Sequence, residues 1–215
     1  MTFKSFKSFG SNTLSMNLPY NDIFSKGFNV ISEEGQVLYY SYNIGTFNGS
    51  NVSNYATGKP IQDAVLSGTT IIQDGTQYMP STSANDGLII NRVVDTLNTS
   101  VLSVSFWFKT TELANQFYFI STLQTKNATA NVGNRWFIRI QQSNFLKIGT
   151  DGKLFTTSFK PVLNQWYHIV VRMSDSDAGN LYVDNSFYQS INGAGYPSFV
   201  NESSFNGLGR NPSNR

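Results

Sequence analysis

Apolar residues recur at every second position in a series of short segments: Val37 to Tyr42, Leu102 to Lys109, Phe117 to Leu123, Arg135 to Gln142, Phe145 to Gly149, Lys153 to Ser158, Trp166 to Met173 and Leu181 to Val183. A period of two is that of a strand with one buried face, and no stretch shows the three-to-four spacing of an amphipathic helix. Asp151-Gly152, between FLKIGT and KLFTTS, is a two-residue hairpin connection, because both residue types tolerate positive φ. Strands joined in this way run antiparallel. Their number predicts an all-β fold, an antiparallel two-sheet jelly-roll sandwich.

Strand geometry then sorts side chains onto faces. In Trp166 to Met173, the residues Tyr167, Ile169, Val171 and Met173 share a core face, and Trp166, His168, Val170 and Arg172 share the other. In Leu102 to Lys109, Val104, Phe106 and Phe108 are separated from Ser103, Ser105, Trp107 and Lys109. In Arg135 to Ile140, Trp136, Ile138 and Ile140 are separated from Arg135, Phe137 and Arg139.

Composition narrows the partners. The chain has 215 residues, 13% of them charged, with a formal net charge of +2. That charge sets up no basic field of the kind phosphate backbones require, so nucleic acid is not an expected partner. There is no cysteine, hence neither a disulfide framework nor a thiolate metal site. The N-terminal MTFKSFKSFGSNTLSM lacks the apolar core of a signal peptide, and no run approaches the roughly 20 apolar residues of a membrane span, so membrane insertion is not expected. Aromatic residues make up 14% of the chain, and with the abundant Asn, Ser, Thr and Gly they fit short strands joined by turns.

The order SVSFWFKT (Ser103 to Thr110), NRWFIRI (Asn134 to Ile140), NQWYHIVVRM (Asn164 to Met173), LYVDN (Leu181 to Asn185) and GLGR (Gly207 to Arg210) resembles laminin G-like modules of the concanavalin A-like jelly-roll superfamily. The likeness runs from Gln36 to Arg210. Upstream, VLYYSYN, NYATG and Asp63-Ala64 are similar to the opening of such modules in surface and capsid-associated proteins of large DNA viruses. The resemblance implies one laminin G-like domain over residues 36–215, preceded by an extension over residues 1–35.

His168 is the only histidine in the chain. It sits between a tryptophan and a valine on its face, and no nucleophile stands nearby at a suggestive spacing. A hydrogen-bonded structural imidazole is expected, since catalysis by histidine needs a partner to activate or orient it. In SDSDAGN, the Asp, Ser, Gly and Asn suit a tight strand connection. Sites for Ca²⁺ occur in folds of the resembled type, so Asp175, Asp177 and Asn180 are the candidate ligands; no other cofactor is expected.

Glycosidases of the resembled superfamily carry two carboxyl groups about 5 Å apart, placed on one strand by an E-x-D-x-E motif. The chain has no such motif, so no enzymatic activity is expected. Concave sheets of this fold also bind glycans by stacking aromatic rings on sugars. Trp107, Phe137, Arg135 and Arg139 are the candidate glycan-binding groups.

FKSFKSF near the N-terminus has a period of three that matches neither strand nor helix. It reads as an assembly arm that lays Phe3, Phe6 and Phe9 along a neighbouring subunit. Modules of the resembled family close with a further strand after the GLGR position, and here the chain stops at Arg215. A continuation of the polypeptide or a partner chain is the expected cover for the edge this leaves, in preference to the arm. The expected function is a non-catalytic structural or adhesive component of a larger assembly, with other subunits as partners and a virion surface as a setting. The alternative is a free lectin-like glycan-binding protein.

Overall fold

The computed structural model describes residues 2–9, 38–41, 47–48, 50–53, 63–67, 71–73, 76–78, 87–91, 101–111, 117–122, 136–141, 144–150, 152–174, 176–195 and 205–208. These residues form two antiparallel sheets and no helix. The first sheet runs, in spatial order, β16 (Ser186–Asn192), β15 (Ala178–Val183), β14 (Tyr167–Ser174), β9 (Val101–Lys109), β1 (Thr2–Phe9), β7 (Thr76–Tyr78) and β6 (Ile71–Gln73), with β2 (Leu38–Ser41) also paired to β1. The second runs β13 (Leu154–Thr156), β12 (Phe145–Thr150), β11 (Trp136–Gln141), β10 (Phe117–Thr122), β17 (Phe205–Leu208), β8 (Gly87–Asn91), β5 (Ala64–Ser67), β4 (Asn51–Val52) and β3 (Phe47–Asn48). The molecule is the expected jelly-roll sandwich.

The sheets meet through the faces that alternation assigns to the core. Val104, Phe106 and Phe108 of β9 and Tyr167, Ile169, Val171 and Met173 of β14 are buried, as are Trp136, Ile138 and Ile140 of β11 and Leu146 and Ile148 of β12. Phe119 of β10 carries the contact across, its ring 4.9 Å from Phe106 and 4.6 Å from Phe108 between centroids. Each such ring contributes about 1.5–3 kcal/mol by burial.

Turn chemistry fixes the register at the hairpins. Asp184 and Asn185 join β15 to β16 with φ of 49° and 66°, the left-handed pair that a two-residue hairpin needs and that Asp and Asn tolerate. Between β12 and β13 the backbone N–H of Thr150 donates to Lys153 O at 2.9 Å. Gly149 beside this turn has φ of 138°, and a Cβ there would lie 2.1 Å from the carbonyl oxygen of Ala194, so only glycine fits. SDSDAGN closes as expected: Asp177 has φ of 61° and its N–H donates to Ser174 O at 3.1 Å.

The N-terminal segment departs from expectation. Thr2–Phe9 is not an arm outside the fold but a strand inside the first sheet, paired to β9 on one side and to β2 and β7 on the other. The register explains why the period of three was misleading. Position 3 lies opposite Phe108 and position 6 opposite Phe106, with one extra β1 residue between them. A β-bulge thus matches two positions three apart to two positions two apart. β9 is thus paired on both sides, to β1 and to β14.

Candidate functional site

On the first sheet, the face turned away from the core presents Ser105, Trp107 and Lys109 from β9, His168, Val170 and Arg172 from β14, Tyr182 from β15 and Phe187 from β16. Cross-strand pairing sets them side by side: Trp107 opposite His168, Ser105 opposite Val170, Val170 opposite Tyr182 and Tyr182 opposite Phe187. Trp107, His168 and Tyr182 are half-buried, and Phe187 is 60% exposed. The rings of Tyr182 and Phe187 meet edge to face at 5.9 Å. At the end of the strands Lys109 Nζ lies 5.4 Å from the centre of the Trp166 ring, within cation–π range.

His168 is the pivot of this face. Its ring stacks on Trp107, centroids 4.9 Å apart and planes 17° from parallel. Nδ1 lies 3.1 Å from Asn185 Oδ1 and Nε2 lies 2.8 Å from Ser105 Oγ. With Asn185 Oδ1 as acceptor, Nδ1 carries the proton and Nε2 accepts from the Ser105 hydroxyl. The backbone is tied in as well: His168 N–H donates to Asp184 Oδ1 at 2.8 Å, and Asp184 N–H donates to His168 O at 2.9 Å. The hairpin turn and the imidazole therefore hold each other.

Ser105 and Asn185 were missed in the sequence, because they lie 63 and 17 residues from His168 and only strand pairing brings them together. Their line, hydroxyl to imidazole to amide, has the layout of a nucleophile, base and orienting group. The surroundings differ from those of an acyl-transfer site. Ser105 stands mid-strand, paired to Lys7 on one side and Val170 on the other, so the backbone beside it is committed to the ladder. Acyl transfer needs N–H donors aimed at the developing oxyanion.

The other sequence candidates fall elsewhere. Phe137 is fully buried and Arg139 is 9% exposed, with the Arg139 guanidinium 4.1 Å from the centre of the Phe137 ring. Both faces of β11 are covered, so Phe137 and Arg139 are not the surface groups that alternation suggested. Arg135 and Asp175 lie outside the described residues. Asp177 Oδ2 is bonded to the ammonium of Lys153 and Asn180 is paired in β15 to Arg172 and Ser190. Among the described residues no three His, Cys, Asp or Glu side chains are grouped to hold a metal. No helix among them is long and apolar enough to cross a membrane.

The two antiparallel sheets, with WYHIVVRM and LYVDN on neighbouring strands β14 and β15, define a jelly-roll sandwich. Residues 80–215 match the family described as the concanavalin A-like lectin/glucanases superfamily, and the chain belongs to it. No curated protein matches the chain. Among solved structures, the binding domain of Paraclostridial Mosquitocidal Protein 1 is similar at 16% identity and a TM-score of 0.55, over 82% of this chain and 45% of that one. The botulinum neurotoxin serotype D/C binding domain is similar at 15% identity and a TM-score of 0.54, over 82% and 44%. The binding domain of botulinum neurotoxin DC, solved in complex with SialylT, is similar at 13% identity and a TM-score of 0.53, over 84% and 45%. The chain spans less than half the length of these structures, and at such identities the likeness is one of fold.

Proposed function

We propose that this chain is a non-catalytic adhesive module that binds glycan through the outer face of its first sheet, with Trp107 as the stacking platform. The observation that carries this reading is the Trp107–His168 stack. A half-buried indole is held flat on an imidazole that is hydrogen-bonded at both nitrogens, which gives a preformed aromatic surface at low entropic cost. Tyr182, Phe187 and Arg172 extend the face with rings and a cation that can meet sugar hydroxyls or carboxylates. The solved relatives named as binding domains support binding over catalysis, as does the lack of an E-x-D-x-E strand. In this reading the module is the adhesive element of a larger assembly; a virion surface is the setting that the likeness of VLYYSYN and NYATG supports.

A glycan array probed with the labelled chain tests the proposal. The expected result is a saturable preference for a restricted set of glycans, lost with Trp107→Ala, and no release of free sugar on prolonged incubation with the bound glycans. Hydrolysis of any of them would overturn the non-catalytic reading.

A further inference from the structure

The charged residues in the strands of the first sheet are all cations: Lys4 and Lys7 of β1, Lys109 of β9 and Arg172 of β14. Among the described residues no Asp or Glu stands in any of these strands. The core face of the sheet is apolar, so Lys109 and Arg172 fall on the outer face with Trp107, His168 and Tyr182. With a formal net charge of only +2 over the whole chain, this is a local excess and not a general basic field.

Arg172 is exposed, whereas Lys109 is half-buried beside the Trp166 ring. The partners of Arg172 across the ladder, Ser103 of β9 and Asn180 of β15, are uncharged. Of the described carboxylates in the turns that border β15, Asp177 is bonded to the Lys153 ammonium and Asp184 Oδ1 accepts from the His168 N–H. No carboxylate among the described residues is paired with Arg172. A guanidinium left on a sheet face without a counter-charge offers a planar fork of donors that meets an incoming oxyanion at two points.

Given the glycan-binding reading, on which this rests, we infer that the ligand is an acidic oligosaccharide whose carboxylate or sulfate is held by Arg172 while a different unit stacks on Trp107. The register sets the separation. Trp107 lies opposite His168, and Arg172 lies four residues further along β14, roughly 13 Å away at the usual rise of a strand. That span exceeds one sugar ring, so the acidic group sits on a unit apart from the stacked one. Between them the face offers Val170 and Tyr182, paired across the ladder, whose apolar and hydroxyl-bearing surfaces suit the intervening unit. Selection follows from the same geometry: a neutral chain leaves the guanidinium to water, whereas an acidic one gains a charge-assisted pair that Trp107 alone does not supply.

The test compares neutral oligosaccharides with the same oligosaccharides carrying a terminal sialic acid or a sulfate, on an array and then by calorimetric titration of the best-bound pair. The wild-type chain should favour the acidic member by about tenfold or more, and added salt should shrink that ratio. Preference in either the sialylated or the sulfated arm supports the inference and says which oxyanion Arg172 takes. Arg172→Gln should bring the ratio close to unity with circular dichroism unchanged, and Arg172→Lys should restore part of it. A purely structural role for Arg172 would weaken both members alike and keep the ratio. Equal binding of neutral and acidic members by the wild-type chain, or a ratio that survives Arg172→Gln, overturns the inference; if that binding is still lost with Trp107→Ala, the glycan-binding reading stands without it. A wild-type chain that binds no glycan on the array overturns both.

Discussion

His168 and Trp107 stack at 4.9 Å with their planes 17° apart, although 61 positions of sequence separate them; the antiparallel pairing of β14 with β9 places them directly opposite. The stack makes His168 a support for the indole. His168→Gln keeps a polar side chain on the strand but removes the stacked ring, so it should lower stability by about 1 kcal/mol. Glycan affinity should fall by no more than about threefold, which is under 1 kcal/mol. Chemical unfolding and calorimetric titration check both numbers. A stably folded variant with a tenfold loss would make the imidazole a direct contact.

Deleting Met1 to Gly10 removes β1, a strand bonded to β9 on one side and to β2 and β7 on the other. The deletion strips the ladder from one side of β9, the longest strand among the described residues, and should leave the chain largely unfolded or aggregated. Circular dichroism and size exclusion would show it. A deleted chain with native melting behaviour would return Thr2–Phe9 to the role of a dispensable arm.

Phe137→Ala empties a fully buried site, and the expected cost is about 3–5 kcal/mol. Thermal unfolding should register this as a large fall in midpoint or as loss of folded protein. A variant with near-native stability would mean that the ring is accessible after all and would restore Phe137 as a sugar platform.

How far the sequence could be read depends on which strands keep strict alternation. SVSFWFK and WYHIVVRM do, and their core faces lie where the period of two assigns them. FKSFKSF and SFYQSIN each contain a bulge, at positions 3 to 6 and at Tyr188, and an extra residue breaks the periodicity on which strand recognition rests. Alternation also cannot tell a solvent face from a covered one, which is why Phe137 and Arg139 looked like partners of Trp107. The links from Ser105 and Asn185 to His168 exist only through strand pairing and have no local signature.

The Asp177 carboxylate is bonded to the Lys153 ammonium, and Asp177 O accepts from Gly193 N–H at 2.8 Å. A calcium ion here would have to displace that ammonium. Adding millimolar Ca²⁺ should therefore leave the unfolding temperature unchanged, and Lys153→Ala should cost no more than about 1 kcal/mol, as is usual for an exposed pair. A clear rise in melting temperature with Ca²⁺ that is lost in Asp177→Asn would establish a metal site at this loop.

The most direct test of the account is calorimetric titration of the Trp107→Ala chain with the glycan that the wild-type chain binds best. The account predicts at least about a tenfold loss of affinity, equivalent to about 1.4 kcal/mol, in a protein that keeps its circular dichroism and loses only about 1–2 kcal/mol of stability with the stack, with part of the affinity restored by Trp107→Phe. Undiminished binding by a folded Trp107→Ala chain would contradict it and move the site off this face of the sheet.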